Sequence, residues 1–172
     1  IKRMKSCMRE IGHSMSSHRM LMDYSNYFYL PALKNYRRIV KDEYAESRSL
    51  AAYFGKLKSS WDSLRILKIE SNARPVMQRG DFLTVTASIE LGALSPDELL
   101  VELYHGSVSN QGNEIRNARR AEMKSVRMDG TANVYQVRIE CADTGMQGHT
   151  VRILPKHDAL IHPYRSGLVK WA

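Results

Sequence analysis

The sequence predicts an α+β protein, with an N-terminal helical segment followed by an all-β sandwich of immunoglobulin-like type. Three observations carry this reading. A chain of 172 residues with 43% hydrophobic and 26% charged side chains is long enough to bury the core of one ordinary domain or two small ones. Glycine and proline are sparse up to Trp61, where Gly12, Gly55 and Pro31 stand alone, and recur at intervals after it. The spacing of apolar residues changes at the same place, from three and four to two. The expected division is a helical segment at 1–62 and a β domain at 63–172.

In the first segment, Ile1, Met4, Met8 and Ile11 form a helical stripe. Gly12-His13-Ser14 reads as its stop, and Ser16 or Ser17 as the N-cap of a second helix, whose hydroxyl accepts from a first-turn amide. Met20, Tyr24, Tyr27 and Phe28 follow at helical spacing. Pro31 lacks an amide donor, so it kinks this helix or starts a new one. Leu33, Tyr36, Val40 and Tyr44 continue the stripe, and Leu50, Tyr53, Phe54, Leu57 and Trp61 make a further one.

From Leu64 the pattern is that of strands. Leu83, Val85, Ala87, Ile89 and Leu91 alternate with Thr84, Thr86, Ser88 and Glu90. Leu99, Val101 and Leu103 repeat the alternation, as do Tyr135, Val137, Ile139 and Cys141. Shorter strands are expected at 64–70, 120–128 and 150–154. Turn residues separate them: Gly80-Asp81, Pro96-Asp97, Asn110-Gln111-Gly112, Asp129-Gly130 and Thr144-Gly145. Asp129-Gly130 fits the primed turn of an antiparallel hairpin.

The helical segment carries more apolar surface than its length can bury. Nine of the fourteen aromatics and five of the nine methionines lie in its 62 residues. With no initiator methionine and no cap before Ile1, the sequence reads as a piece of a longer polypeptide whose missing part covers that surface.

Several function classes fall away. No run reaches the roughly 18–20 apolar residues of a membrane span, and no secretory signal is visible. The net charge of +8 is +6 over 1–62 and +2 over 63–172, scattered as singles and pairs without a nucleic-acid motif, so nucleic acid is not an expected partner. Cys7 and Cys141 cannot build a disulfide framework or a zinc site, and two free thiols suit a reducing cytoplasm. His13 and His18, like His157 and His162, are spaced by five and read as surface or capping residues. Asp42, Glu43 and Glu46 sit at a helix junction and Asp97 and Glu98 in a turn, so both clusters read as structural. Thr144 to Gly148 carries glycines but is flanked by strand pattern, which predicts a hairpin loop and not a phosphate cradle. No catalytic, cofactor-binding or metal-binding residue is assigned.

Three stretches resemble a known family. Ser17-His18-Arg19-Met20-Leu21-Met22-Asp23-Tyr24, followed by Tyr27-Phe28-Tyr29-Leu30-Pro31-Ala32, resembles a helix near the end of α-glucan (glycogen/maltodextrin) phosphorylases. Leu91 to Gly106 resembles the β-domain strand pair of the bacterial and archaeal branch, and Gly148 to His157 with Gly167 to Ala172 resembles the end of that branch. The resemblance implies the C-terminal part of a pyridoxal-phosphate-dependent glycosyltransferase that releases glucose 1-phosphate from an α-1,4-glucan and phosphate. It also implies two upstream Rossmann-like catalytic domains. The family's cofactor-lysine run has no counterpart in these residues, so the resemblance implies an inactive, accessory fragment without cofactor.

On that resemblance, Arg19, Tyr24, Tyr27 and Phe28 are the expected contacts with the upstream catalytic domains of the same polypeptide. The β domain is expected to brace those domains or to make a homo-oligomer contact. The alternative is a carbohydrate-binding module holding α-glucan, with Tyr104 and Trp171 as the sugar platform. The small supply of aromatics after residue 62 favours the structural role.

Overall fold

The structure, a computed structural model, describes residues 1–12, 14–109, 114–160 and 162–172. The chain divides into two compact units, Ile1–Ser49 and Leu50–Ala172. The α+β class holds: helices come first and strands in two antiparallel sheets follow.

The first unit holds α1 (Lys2–Ile11), α2 (Ser17–Tyr24), α3 (Leu30–Val40) and the start of α4 (Ala45–Ser60). Ser16 caps α2, its Oγ accepting from the Arg19 amide at 3.2 Å. A π-turn over Ser25–Tyr29 joins α2 to α3. Pro31 has no N–H to give to the Tyr27 carbonyl, and the Leu30 amide reaches back five residues to the Ser25 carbonyl. The expected break at Pro31 therefore takes the form of a widened turn, with the proline in the first turn of α3. Asp42 and Glu43 lie between α3 and α4 with positive φ, and Glu46 pairs with Arg38 at 3.2 Å. None of the described residues of this unit is buried.

The second unit has β1 (Arg65–Ser71), β2 (Phe82–Glu90), β3 (Leu99–Val108), β4 (Ile115–Glu122), β5 (Lys124–Asp129), β6 (Ala132–Glu140), β7 (Gln147–Pro155) and β8 (Lys170–Trp171). One sheet has the order β1-β2-β6-β5 and the other β4-β3-β7-β8. The alternation of β2 puts Leu83, Val85, Ala87 and Ile89 inward, and these share one core with Leu99, Val101 and Leu103 of β3 and Val151 and Ile153 of β7. The expected strand at 120–128 is two strands in different sheets. Met123 breaks it, buried at the crossing with its amide donating to the Val101 carbonyl at 2.8 Å. After Asp129, which pairs with Ala132, Gly130 and Thr131 make the β5–β6 hairpin turn, Gly130 taking a positive φ of 60°. The loop at Thr144-Gly145 corrects the hairpin expectation, because β6 and β7 belong to different sheets and the loop crosses between them. Asn110-Gln111-Gly112 and His13 lie outside the described residues.

The last turns of α4 close one end of the two-sheet core. Tyr53, Leu57 and Trp61 join the core cluster there with Leu64, Leu91 and Leu94. The Tyr53 hydroxyl donates to the Glu98 carbonyl at 2.6 Å, before β3, and accepts from the Lys156 amide at 2.9 Å, after β7. Glu98 forms a capping box with Ser95 and holds the Lys56 ammonium at 2.6 Å. Tyr135 is also in the core, as its place in the alternation predicts, but among the described residues its hydroxyl has no hydrogen-bond partner.

One substitution at these two tyrosines should act with opposite sign. Tyr53→Phe removes two hydrogen bonds, the Lys156 amide still donating to the Glu98 carbonyl at 3.0 Å, and should cost about 1–3 kcal/mol in urea unfolding. Tyr135→Phe removes an unpaired buried hydroxyl and should be neutral or stabilising. Equal losses at both positions would contradict this account.

Candidate functional site

The four expected docking residues lie together on the first unit. Arg19 pairs with Asp23 at 3.9 Å, and Tyr24 stacks within 5.8 Å of Phe28 and 6.2 Å of Tyr29. Tyr27 and Phe28 lie within the π-turn. Tyr24 is 47% exposed, Phe28 61% and Tyr27 72%, so these rings have almost no interior of their own.

Tyr104 and Trp171 meet on the outer face of the β4-β3-β7-β8 sheet, edge to face, with centroids 5.4 Å apart and planes at 84°. Perpendicular rings present two separate faces and not one continuous platform. What they surround is Arg152. Its guanidinium carbon lies 5.0 Å from the Tyr104 ring, 5.0 Å from Tyr164 and 5.3 Å from Trp171. Its Nε and Nη2 both donate to Glu102 Oε2, at 2.8 and 2.7 Å. The register explains the group, because Glu122, Glu102, Arg152 and Trp171 are successive cross-strand partners over four strands. Tyr164 closes the cage, its hydroxyl accepting from Arg120 and from Arg152. Glu102 and Arg152 are both buried. Sequence reading missed this ion pair, since 50 residues separate its members and only strand pairing brings them opposite.

A second constellation lies at the end of the β unit opposite α4. His105 and His149 continue the inward parity of Leu103 and Val151 and face each other across β3 and β7. Arg119 is the partner of His105 on β4. Between His105 and Ser107 the β3–β4 register slips, and Asn117 takes a positive φ of 49° in the resulting bulge. Gly106 is required there, because a Cβ would stand 2.5 Å from the Arg116 carbonyl oxygen. Arg119 reaches Asp143 of the β6–β7 loop at 3.2 Å. The cleft so formed has a volume of about 440 Å³ and is lined by Ser107, Asn117, Thr144 and Gln147 besides the His105, Arg119 and Asp143 side chains. Burial, and secondarily the Arg119 charge, holds the His105 imidazole below its ordinary pKa, against the pull of Asp143. Burial does the same for His149.

His157 stacks on Tyr53 at 5.0 Å and its Nδ1 accepts from the Ala159 amide. Cys7 and Cys141 are free thiols, and among the described residues no group of three metal-ligating side chains forms.

Two outcomes test these sites. Arg152→Leu leaves a carboxylate buried without its cation and should cost about 3–5 kcal/mol in urea unfolding; a loss below 1 kcal/mol would contradict the cage. Because the folded pKa of His105 and His149 lies below the unfolded value of about 6.5, the unfolded chain binds more protons as pH drops through that value. Stability should therefore be full above about pH 6.5 and fall as pH drops towards 5. The double variant His105→Gln, His149→Gln should flatten that slope; an unchanged slope would contradict the assignment.

Comparison with known proteins agrees with the sequence resemblance. The glycogen phosphorylase C-terminal domain family matches residues 61–172. A maltodextrin phosphorylase of Thermococcus litoralis is 31% identical over 173 residues, covering 98% of this chain and 20% of that protein. Glycogen phosphorylases of Mycobacterium bovis and Mycobacterium tuberculosis are 27% identical over 174 residues, covering 100% of this chain and 20% of each. The chain thus spans about a fifth of the length of these curated relatives. A solved structure of a Pseudomonas fluorescens alkylpurine DNA glycosylase bound to abasic-site DNA aligns over 54% of this chain and 27% of its own at 17% identity, and its TM-score of 0.36 carries no argument. The matched span runs from Trp61, in the plug, through all eight described strands to the last residue, and the chain belongs to the glycogen phosphorylase C-terminal domain family.

Proposed function

We propose that this chain is the closing part of an α-1,4-glucan phosphorylase, a cytoplasmic enzyme that converts glucan and phosphate to glucose 1-phosphate with pyridoxal phosphate. On this reading 1–62 is the edge of the catalytic part and 63–172 an accessory β domain. Family membership and the shared length with glycogen and maltodextrin phosphorylases support the parent's identity. The observation that carries the docking role is the first unit's lack of a buried residue, while Met20, Leu21, Tyr24, Tyr27, Phe28 and Tyr36 stand exposed on its helices. Arg19, Tyr24, Tyr27 and Phe28 are then the contacts with the upstream catalytic domains.

We infer further that the β unit is an immunoglobulin-like sandwich. The orders β1-β2-β6-β5 and β4-β3-β7-β8 correspond to A-B-E-D and C′-C-F-G in the usual lettering, and both sheets feed one core. Its role is to brace, and the buried Glu102–Arg152 pair inside three rings fits a rigid support. The second reading, a module holding α-glucan on Tyr104 and Trp171, draws on the 48% exposure of Trp171.

The residues present do not fit pyridoxal phosphate. The aldehyde of that cofactor needs a lysine amine, and no lysine lines the cleft at His105 or the pockets beside it. No step is derived through the cofactor, which belongs to the proposed parent.

Separated from its catalytic domains, the chain should associate through the exposed rings. Size-exclusion chromatography should show species larger than 19.7 kDa, and Tyr27→Ser with Phe28→Ser should return a monomer. A strictly monomeric, non-adhesive chain would count against the docking role. Incubated with maltoheptaose, phosphate and pyridoxal phosphate, the chain should form no glucose 1-phosphate; measurable product would overturn the accessory reading.

A further inference from the structure

The two ends of the β unit differ in kind. Tyr53, Leu57 and Trp61 fill one end with apolar packing, whereas the other opens as the cleft around His105 and His149. The site offers no uncompensated cation. Arg119 and Asp143 are paired at 3.2 Å, Glu140 lines the adjoining pocket, and both imidazoles are held below their ordinary pKa and are therefore neutral at pH 7. What remains is a dense set of uncharged donors and acceptors: Ser107, Asn117, Thr144, Gln147 and the two imidazoles. Leu83, Ile139 and Cys141 of the facing sheet supply an apolar strip in a smaller pocket that shares His105, Arg119, Asp143 and Gln147 with the cleft. The backbone at Asn117 adopts a conformation that non-glycine residues rarely take, and it does so at the residue that lines this cleft.

A phosphate or carboxylate would find no uncompensated cation here, and an apolar ligand would leave the polar rim unpaired. A ligand whose adjacent hydroxyls both donate and accept, and which also carries an apolar C–H face, matches the polar cleft and the apolar strip of the adjoining pocket together. We propose that the cleft bounded by Asn117, Arg119, Asp143 and Gln147 over the His105–His149 pair is a saccharide-binding site. The choice of an α-glucan among saccharides rests on the function proposed above; the site itself rests on the cleft.

The test is titration of the full 172-residue chain, followed through the imidazole NMR signals of His105 and His149, with maltoheptaose, cellohexaose and inorganic phosphate. Maltoheptaose should shift both signals saturably, and phosphate should not. Arg119→Leu should weaken the response at least tenfold. So should Asn117→Gly, which removes the side chain while easing the backbone and so keeps the fold. No saturable shift with either saccharide, a shift with phosphate in place of sugar, or a sugar response unchanged in both variants would each overturn the site. A response to cellohexaose without one to maltoheptaose would support the site and overturn its α-glucan identity.

Discussion

The structure depends on how the last turns of α4 are seated in the mouth of the two-sheet core. Tyr53 does two things there. Its ring joins Leu57 and Trp61 in the core, and its hydroxyl ties the chain before β3 to the chain after β7. Those are neighbouring strands at the centre of one sheet, so a single side chain fixes the helix to both. Leu64, fully buried, then starts the chain into β1. Without this plug, Leu91, Leu94 and Leu99 would open to water at the same end, and burial of each stabilises the fold by about 1.5–3 kcal/mol.

Because one end is closed by apolar packing, the polar chemistry of the β unit gathers elsewhere. The outer face of the second sheet holds a buried ion pair within three aromatic rings, a satisfied arrangement with little left to offer a ligand. The far end holds uncharged polar groups around a strained asparagine and an in-register histidine pair. The helical unit differs again, since its apolar side chains face outward over its whole length. The proposed brace, the cleft and the proposed docking helix each follow from where one sequence places its apolar residues.

Much of this was legible in the sequence, and the limits are physical. Leu83 to Leu91 declared its strand because strict alternation has one structural solution when one face is buried. The surplus of exposed rings followed from counting aromatics against the length of the helical part. The strand at 120–128 was misread as continuous because Ala121 and Met123 keep the alternation going through the point where the chain changes sheets. Strand β8 has two residues, too few for any period to register. Tyr104 and Trp171 were singled out as exposed rings, but Glu102, Arg152 and Tyr164, which decide how those rings stand, are linked to them only by register. The His105–His149 pair was invisible for the same reason, the two standing 44 positions apart in the sequence.

On the proposed docking role, the β unit with the end of α4 is self-sufficient, while the helices before it are stable only against a larger body. Amide hydrogen exchange on the isolated chain tests this residue by residue. Val101, Leu103, Val151 and Ile153 should exchange only on global unfolding, and residues 17–40 should exchange at least about a hundredfold faster. Adding the upstream part of the parent polypeptide should slow 17–40 selectively. Core-like protection of 17–40 in the isolated monomer would contradict the account.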